Sequence, residues 1–300
     1  YLNHTKADEI YPEWPNLARI IEREFADKHY ANALALFINV VHFLHSWGMW
    51  DERIQLGLKM CKSARYLKCT STEAWLWIDG LGYIWRHRMR FSECMNALNK
   101  GRELALASGD EYLRILADAY EIMLYLESDK TEHLNQVRPK LDKLLNKKDP
   151  FNVSENDKVE CIIAGRIAVV AGMVSGFEKD SVQQKKWYKQ ELKLSRLAGE
   201  KTIASISRLV YICIQLEEIG DAKDYLKQLP EETGDKDMAW ISLNRALIAD
   251  KEGELKKARR YCEQSLKLFN RLDYRQGIQE CELLLTKLDI KDESSGYVYL

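Results

Sequence analysis

Three hundred residues with 45 basic and 46 acidic side chains carry a formal charge of −1, so no global field draws in a phosphate backbone or an anionic lipid surface. Hydrophobic residues make up 46% of the chain, ample for a buried core, and this excludes disorder over most of its length. Seven cysteines at 61, 69, 94, 161, 213, 262 and 281 form an odd, widely spaced set without CxxC, the pattern of reduced thiols in a cytosolic protein.

The chain opens at Tyr1 without the basic and apolar regions of a signal peptide, and residues 1–10 read as a connector from an upstream domain. In "YPEWPNL", Pro12 and Pro15 are expected to fix the entry into a first helix, with Trp14 anchoring that entry against the first hairpin. The most apolar run, 31–50, is broken by Asn32, Asn39, His42, His45 and Ser46, which suits a helix buried in protein rather than one crossing a bilayer. Only five prolines occur, so long tracts are free to be helical, and no segment shows a strand pattern. Apolar residues recur at intervals of three and four, as in Leu255, Ala258, Cys262 and Leu266, then Ile278, Cys281, Leu285 and Leu288. Lys256, Lys257, Arg259 and Arg260 fall off that stripe, on a solvated face.

Helix pairs joined by tight turns call for a search for repeats. In "TEAWLWIDGLGYIWRHRMRFSECMNALNKGREL", Gly82, Cys94 and Gly101 are small where two helices must approach closely, while Trp85 and Phe91 fill the gap beside them. In "ISLNRALIADKEGELKKARRYCEQSLKLF", Ala246, Gly253, Leu255, Ala258 and Ser265 repeat that spacing, which is similar to the tetratricopeptide arrangement. Taking Gly48, Met89, Asp129, Gly220 and Gly253 as equivalent turns gives steps of 41, 40, 91 and 33, the 91 hiding a degenerate turn near Gly172 to Gly176. "VSGFEKDSVQQKK" reads as a lengthened turn there. The expected fold is all-α, an α-α superhelix: a tetratricopeptide-like right-handed solenoid of about six helical hairpins over 11–289, followed by a tail at 290–300.

The N-terminal segment, with Glu13, Asn16-Leu17 and the Gly48-Met49-Trp50 turn, resembles the start of the helical-repeat arrays in STAND-type signalling ATPases, including bacterial NB-ARC proteins. The C-terminal "LFNRLDYRQGIQECELLLTKL" is similar to their repeat spacing. The resemblance implies a non-catalytic cytoplasmic sensor that regulates an ATPase domain upstream in the same chain. No GxxxxGK[ST] phosphate loop occurs in these residues. A constitutive scaffold or adaptor, and an intracellular receptor for a short signalling peptide, are the alternatives.

Enzyme signatures are absent: there is no HExxH and no GxSxG, and Gly80-x-Gly82 lies within a helical pattern. No cofactor or metal is expected. His42 and His45 could share a metal only with a third ligand from elsewhere, and hydrogen-bonded histidines on a groove-facing side are the favoured reading. Cys61 and Cys69 read as packing residues. Trp75 and Trp77 cannot face the same way, so one should leave its own hairpin's core for the neighbouring repeat.

"WRHRMR" is the densest basic patch, and a hydrated inter-helix turn with Arg88 and Arg90 in solvent is the favoured reading, with a binding role as the sharper alternative. Counting from Gly82 in the repeat register places Asp79, Tyr83, Arg86 and His87 on the concave surface. The same count from Gly48 turns His42 and His45 inward, and from Gly165 it turns Arg166 inward. These seven residues are the candidate binding set for a protein or peptide ligand, because arginine offers a planar fork to carboxylates and tyrosine a rigid amphipathic face. The tail reads first as a frayed end, with docking of Tyr297 and Tyr299 on a groove, here or in a neighbouring molecule, as the alternative.

Overall fold

About every twenty residues the backbone turns left-handed for a single residue. The positions are Lys28, Gly48, Lys68, Met89 and Gly109, then Lys179, Gly199 and Glu217, then Gly253 and Asp273. Successive steps in the first group are 20, 20, 21 and 20 residues. Each such residue ends one helix in the same way. The amide of the following residue donates to a carbonyl five positions back, as in Met49 to Leu44 at 2.9 Å, Cys69 to Ala64 at 2.9 Å, Arg90 to Trp85 at 2.9 Å and Glu254 to Ala249 at 2.9 Å. This is the Schellman closure, which satisfies orphan carbonyls at a helix end and reverses the chain within three residues.

The computed structural model describes residues 7–128, 131–231 and 233–296, except the side chains of 7–12, 131, 132, 134 and 292–296. Every regular element among the described residues is helical. In chain order these are α1 (Ala7–Ala26), α2 (Tyr30–Ser46), α3 (Trp50–Tyr66), α4 (Thr70–Trp75), a π-helical segment (Leu76–Gly82), α5 (Tyr83–His87), α6 (Phe91–Ser108) and α7 (Glu111–Glu127). Then follow α8 (Thr131–Lys147), α9 (Lys158–Phe177), α10 (Ser181–Ala198), α11 (Ile203–Gln215), α12 (Ile219–Leu226), α13 (Asp235–Lys251), α14 (Leu255–Leu272) and α15 (Arg275–Gly296). The chain divides into two compact units, Tyr1–Glu121 and Ile122–Leu300, with the boundary inside α7.

In the first unit, α1 packs on α2, α2 on α3, α3 on the π segment, and α4 with the π segment on α6. The core gathers Trp14, Ile21, Phe37, Leu44 and Met60. Trp14 lies 6.0 Å from Phe43 between ring centroids, which ties α1 to the first hairpin as its position suggests. Helix α1, however, runs through Pro12 and Pro15 instead of starting after them. A proline inside a helix withholds one hydrogen bond but keeps a helical φ, and the packing of Trp14 and Ile21 compensates. Trp75 and Trp77 both pack against this same core, whereas only one was expected to leave its hairpin.

The small residues sit where two helices touch. A Cβ added at Gly101 would lie 2.3 Å from Cγ1 of Ile78 and 3.1 Å from the Ala74 carbonyl oxygen. The Cys94 thiol donates to the Gly82 carbonyl at 3.3 Å.

In the second unit neighbours again pack in sequence: α9 on α10, α10 on α11, α11 on α12 and α13, α13 on α14, and α14 on α15. Each unit is thus a stack of helical hairpins in chain order, the α-α superhelical class. Helix α9 is long and apolar enough by composition to cross a membrane, yet 61% of its most apolar window is buried in the protein as a core helix. Ala246, Ala258 and Ser265 are buried at the α13–α14 contact, with the Ser265 hydroxyl donating to the Ala239 carbonyl at 2.8 Å.

Three turn assignments are corrected. The turn placed at Gly220 falls at Glu217, and Gly220 belongs to α12. Gly172 and Gly176 are inside α9, and the chain reverses at Lys179. "VSGFEKDSVQQKK" is accordingly a short turn between two helices. Asp129 lies outside the described residues. Residues 290–296 continue α15, and Tyr297 and Tyr299 lie outside the described residues.

Two substitutions probe these constraints. Gly101→Ala forces its methyl group into Ile78 and is expected to destabilise the first unit by about 1–3 kcal/mol, the usual cost of overpacking. Lys179→Gly relieves a left-handed Cβ clash of about 1–2 kcal/mol, partly offset by the greater entropy of glycine in the unfolded chain, and is expected to stabilise modestly. Urea denaturation of each variant checks both signs.

Candidate functional site

The π segment is the departure from regular helix that organises the candidate site. Its wider winding is found mostly as short interruptions, often where function is placed. Here the carbonyls of Asp79 and Gly80, both within it, accept hydrogen bonds from a single side chain: Arg53 donates through Nη2 to Asp79 O at 2.6 Å and through Nε to Gly80 O at 3.1 Å. Arg53 comes from α3, on the buried stripe it shares with Trp50, Leu56 and Met60, and is 2% exposed.

The Asp79 carboxylate balances that guanidinium. Its Oδ2 lies 3.9 Å from Arg53 Nη2, and its Oδ1 accepts the Tyr120 hydroxyl at 2.7 Å. Burial pushes Arg53 below the usual arginine range, and the charge of Asp79 opposes that shift. One carboxylate therefore ties α3, the π segment and α7 together.

Beside this triad lies a layer of rings and one more guanidinium. Arg86 stands 5.3 Å from the Tyr83 ring centre and 5.7 Å from that of Tyr120, and its Nη2 is 3.2 Å from His87 Nε2. Tyr83 meets His87 edge-on at 4.3 Å and His45 at 4.9 Å, while Trp50 stacks on both His45 and His87 at 6.1 and 5.9 Å. Such cation–π and edge contacts contribute about 0.5–2 kcal/mol each.

The structure thus brings together five of the seven candidate residues: Asp79, Tyr83, Arg86, His87 and His45. Arg86 and His87 are each only 5% exposed and serve the packing between helices. The members facing outward are Tyr83 and Asp79, both half-buried, and His42 is exposed on α2. Arg166 belongs to the second unit, where it pairs with Glu200 at 2.7 Å. The expectation that Arg88 reaches solvent is corrected: it is bonded to Asp51 at 2.5 Å and lies over the Trp50 ring, and this hydrogen bond holds the Asp51 carboxyl below its usual range. Arg90 is exposed. Cys61 is buried in the core, but Cys69 is exposed and is not a packing residue.

Arg53, Trp50 and Tyr120 were missed from sequence. An arginine standing on an otherwise apolar helical stripe is the signal that could have identified Arg53.

Among the described residues, one group has metal-ligand chemistry: the donor atoms of Cys213, Glu218 and Asp221 lie within 4.8 Å of one another. The Lys185 ammonium is bonded to both carboxylates, at 3.0 Å to Asp221, and so already supplies the cation there. A metal ion would have to compete with it.

No protein-family model matches the chain. It is 22% identical over 289 residues, 93% of its length, to the transcription activator GutR of Bacillus subtilis (strain 168). The chain spans about a third of that relative, 33% of it.

Arg53→Ala removes the donor to two buried carbonyls and the partner of Asp79. A loss of about 3–5 kcal/mol is expected, as for breaking a buried pair by deleting one member. Arg53→Lys is expected to recover only a part, since an ammonium lacks the fork that serves both carbonyls. Chemical denaturation followed by far-UV circular dichroism measures both.

Proposed function

We propose that this chain is a non-catalytic, regulatory helical-repeat domain that senses a protein or peptide ligand and controls an effector in the same parent protein. The observation that carries this reading is the similarity to a transcription activator, which runs through nearly the whole chain rather than through one short motif. The resemblance of its ends to the repeat arrays of STAND and NB-ARC ATPases supports an upstream nucleotide-driven domain as that effector. On this reading the domain works in the cytoplasm, requires no cofactor, and engages neither nucleic acid nor membrane itself.

The network around the π segment supports a switching role. Arg53, Asp79 and Tyr120 hold three helical elements through a few buried polar bonds. Networks of this kind are stable when fully satisfied and costly when partly satisfied, so they favour discrete arrangements. A ligand meeting Tyr83, Asp79 and the neighbouring His45 shifts such an equilibrium only by binding one arrangement more tightly than the other, and His42, exposed on α2, is the further candidate contact. Arg86 and His87 then transmit the change through their ring contacts, and Arg166 is left to a separate role in the second unit.

Asp79→Asn and Tyr83→Ala in the intact parent protein test the proposal. Each is expected to change the inducible fraction of transcriptional output about tenfold, the scale of ordinary allosteric coupling, with circular dichroism of the purified protein separating that change from the destabilisation that Asp79→Asn causes by leaving Arg53 without its counter-charge. Reporter transcription with and without inducer is the measurement. Unaltered induction in both variants overturns the site. Output that is lost only because a partner is mislocalised indicates a scaffold instead.

A further inference from the structure

The second unit holds an anion-seeking surface unrelated to the network just described. Helix α10 carries Lys185, Lys186, Lys189, Lys193 and Arg196 against a single acid, Glu191, a local excess of +4 in a chain whose formal charge is −1. Glu191 does not offset this at the surface. It is 1% exposed and turned inward, bonded to Arg208 and to the Ser205 hydroxyl at 2.8 Å. Four of the lysines line a cleft of about 690 Å³ together with Phe151, Val182 and Leu216, and the one acid in its lining, Glu218, is taken up by Lys185.

Two of the lysines have no carboxylate partner among the described residues. Lys186 lies 5.1 Å from the Phe151 ring centre, and Lys189 has no partner there. Lys185 is held by Glu218 and Asp221, and Lys193 pairs with Glu155 at 2.6 Å.

The apolar side of the cleft is exposed yet fixed. Phe151 is 45% and Val182 73% exposed. The loop bearing Phe151 is pinned to α10 by Gln190, which donates to the Pro150 carbonyl at 2.6 Å, and closed on itself by the Phe151 amide donating to Asp149 Oδ1 at 2.9 Å. Phe151 also packs on Trp187 at 4.9 Å. An aromatic side chain held half in solvent beside uncompensated ammonium groups has little ordering entropy left to lose when a partner arrives.

We propose that this cleft binds an acidic, extended peptide segment of a protein partner, with carboxylates on Lys186 and Lys189 and an apolar side chain against Phe151 and Val182. The dimensions fit. Lys186 and Lys189 are about 4.5 Å apart along the helix axis, and side chains on alternate residues of an extended chain about 7 Å, a difference that the long lysine side chains span. Carboxylates on alternate residues of such a segment reach the two lysines, and a flanking apolar side chain meets Phe151 and Val182. The partner's acids replace water on groups that make no internal ion pair, so binding breaks little that stabilises the fold.

The test is fluorescence anisotropy of a labelled peptide alternating aspartate and leucine, titrated with the whole chain, with the asparagine–leucine counterpart and an oligonucleotide of equal charge as controls. Saturable binding of the aspartate peptide is expected. It should weaken about tenfold in Lys186→Glu/Lys189→Glu and at high salt, as for interfacial charges, and severalfold in Phe151→Ala. These side chains are at the surface, so far-UV circular dichroism should be unchanged in the variants. Absence of saturable binding, equal binding of the asparagine peptide, an unaffected double variant, or tighter binding of the oligonucleotide would each overturn the proposal.

Discussion

One hydrogen bond, repeated, sets the form of both units: the amide just past a left-handed residue returns to a carbonyl five positions earlier and closes the helix. The closure fixes where each helix stops, and therefore how long each helix is. Helices of similar length that reverse every twenty residues pack side by side along much of their length. Each then buries its apolar stripe on its sequence neighbours. Close approach follows from that geometry: a Cβ at Gly101 would lie 2.3 Å from Ile78, one at Gly82 3.2 Å from Leu98, and the Cys94 thiol reaches the Gly82 carbonyl.

Because contacts are made mostly between sequence neighbours, a polar group can be buried wherever two adjacent helices supply its partners. Arg53 and Asp79 use that freedom in the first unit, as does Asp250 in the second, where Lys287 and Lys291 bond to it at 2.7 and 2.5 Å. In Asp250, burial pushes the carboxyl up, but the two ammonium groups outweigh it and leave the group below its usual range. Such sites give each stack a polar register that apolar packing alone does not define.

The helical class and the hairpin repeat could be read from sequence because the small residues at Gly82, Cys94, Gly101, Ala246 and Ala258 mark close helix contacts. Gly48 and Gly253 were readable as turns, since glycine adopts a left-handed φ without a Cβ clash. Lys28, Lys68, Lys179 and Glu217 occupy the same conformation with side chains that do not advertise it. There the reversal is imposed by the packing of the flanking helices, and so the spacing read as forty was one turn in two. The candidate site was half legible. Register counting found Asp79, Tyr83, Arg86 and His87, but it assumed an unbroken α-helix. Residues 76–82 wind more widely, so Asp79 does not keep the register of the residues after Gly82, and Arg86 and His87 are enclosed by the rings of Tyr83, Tyr120 and Trp50 rather than presented. Arg53 and Tyr120 come from other helices, and no local pattern links them to Asp79.

Helix α9 has a consequence for how the chain is made. As it leaves the ribosome it has the length and composition of a membrane span, and only the preceding α8 is there to pack on it. Its cover is α10, which starts only a few residues later at Ser181 and brings a strongly basic outer face. The interval during which a bare apolar helix is visible is therefore limited to the synthesis of one more helix. A chain stalled or cut before Ser181 would keep that helix without its main packing partner.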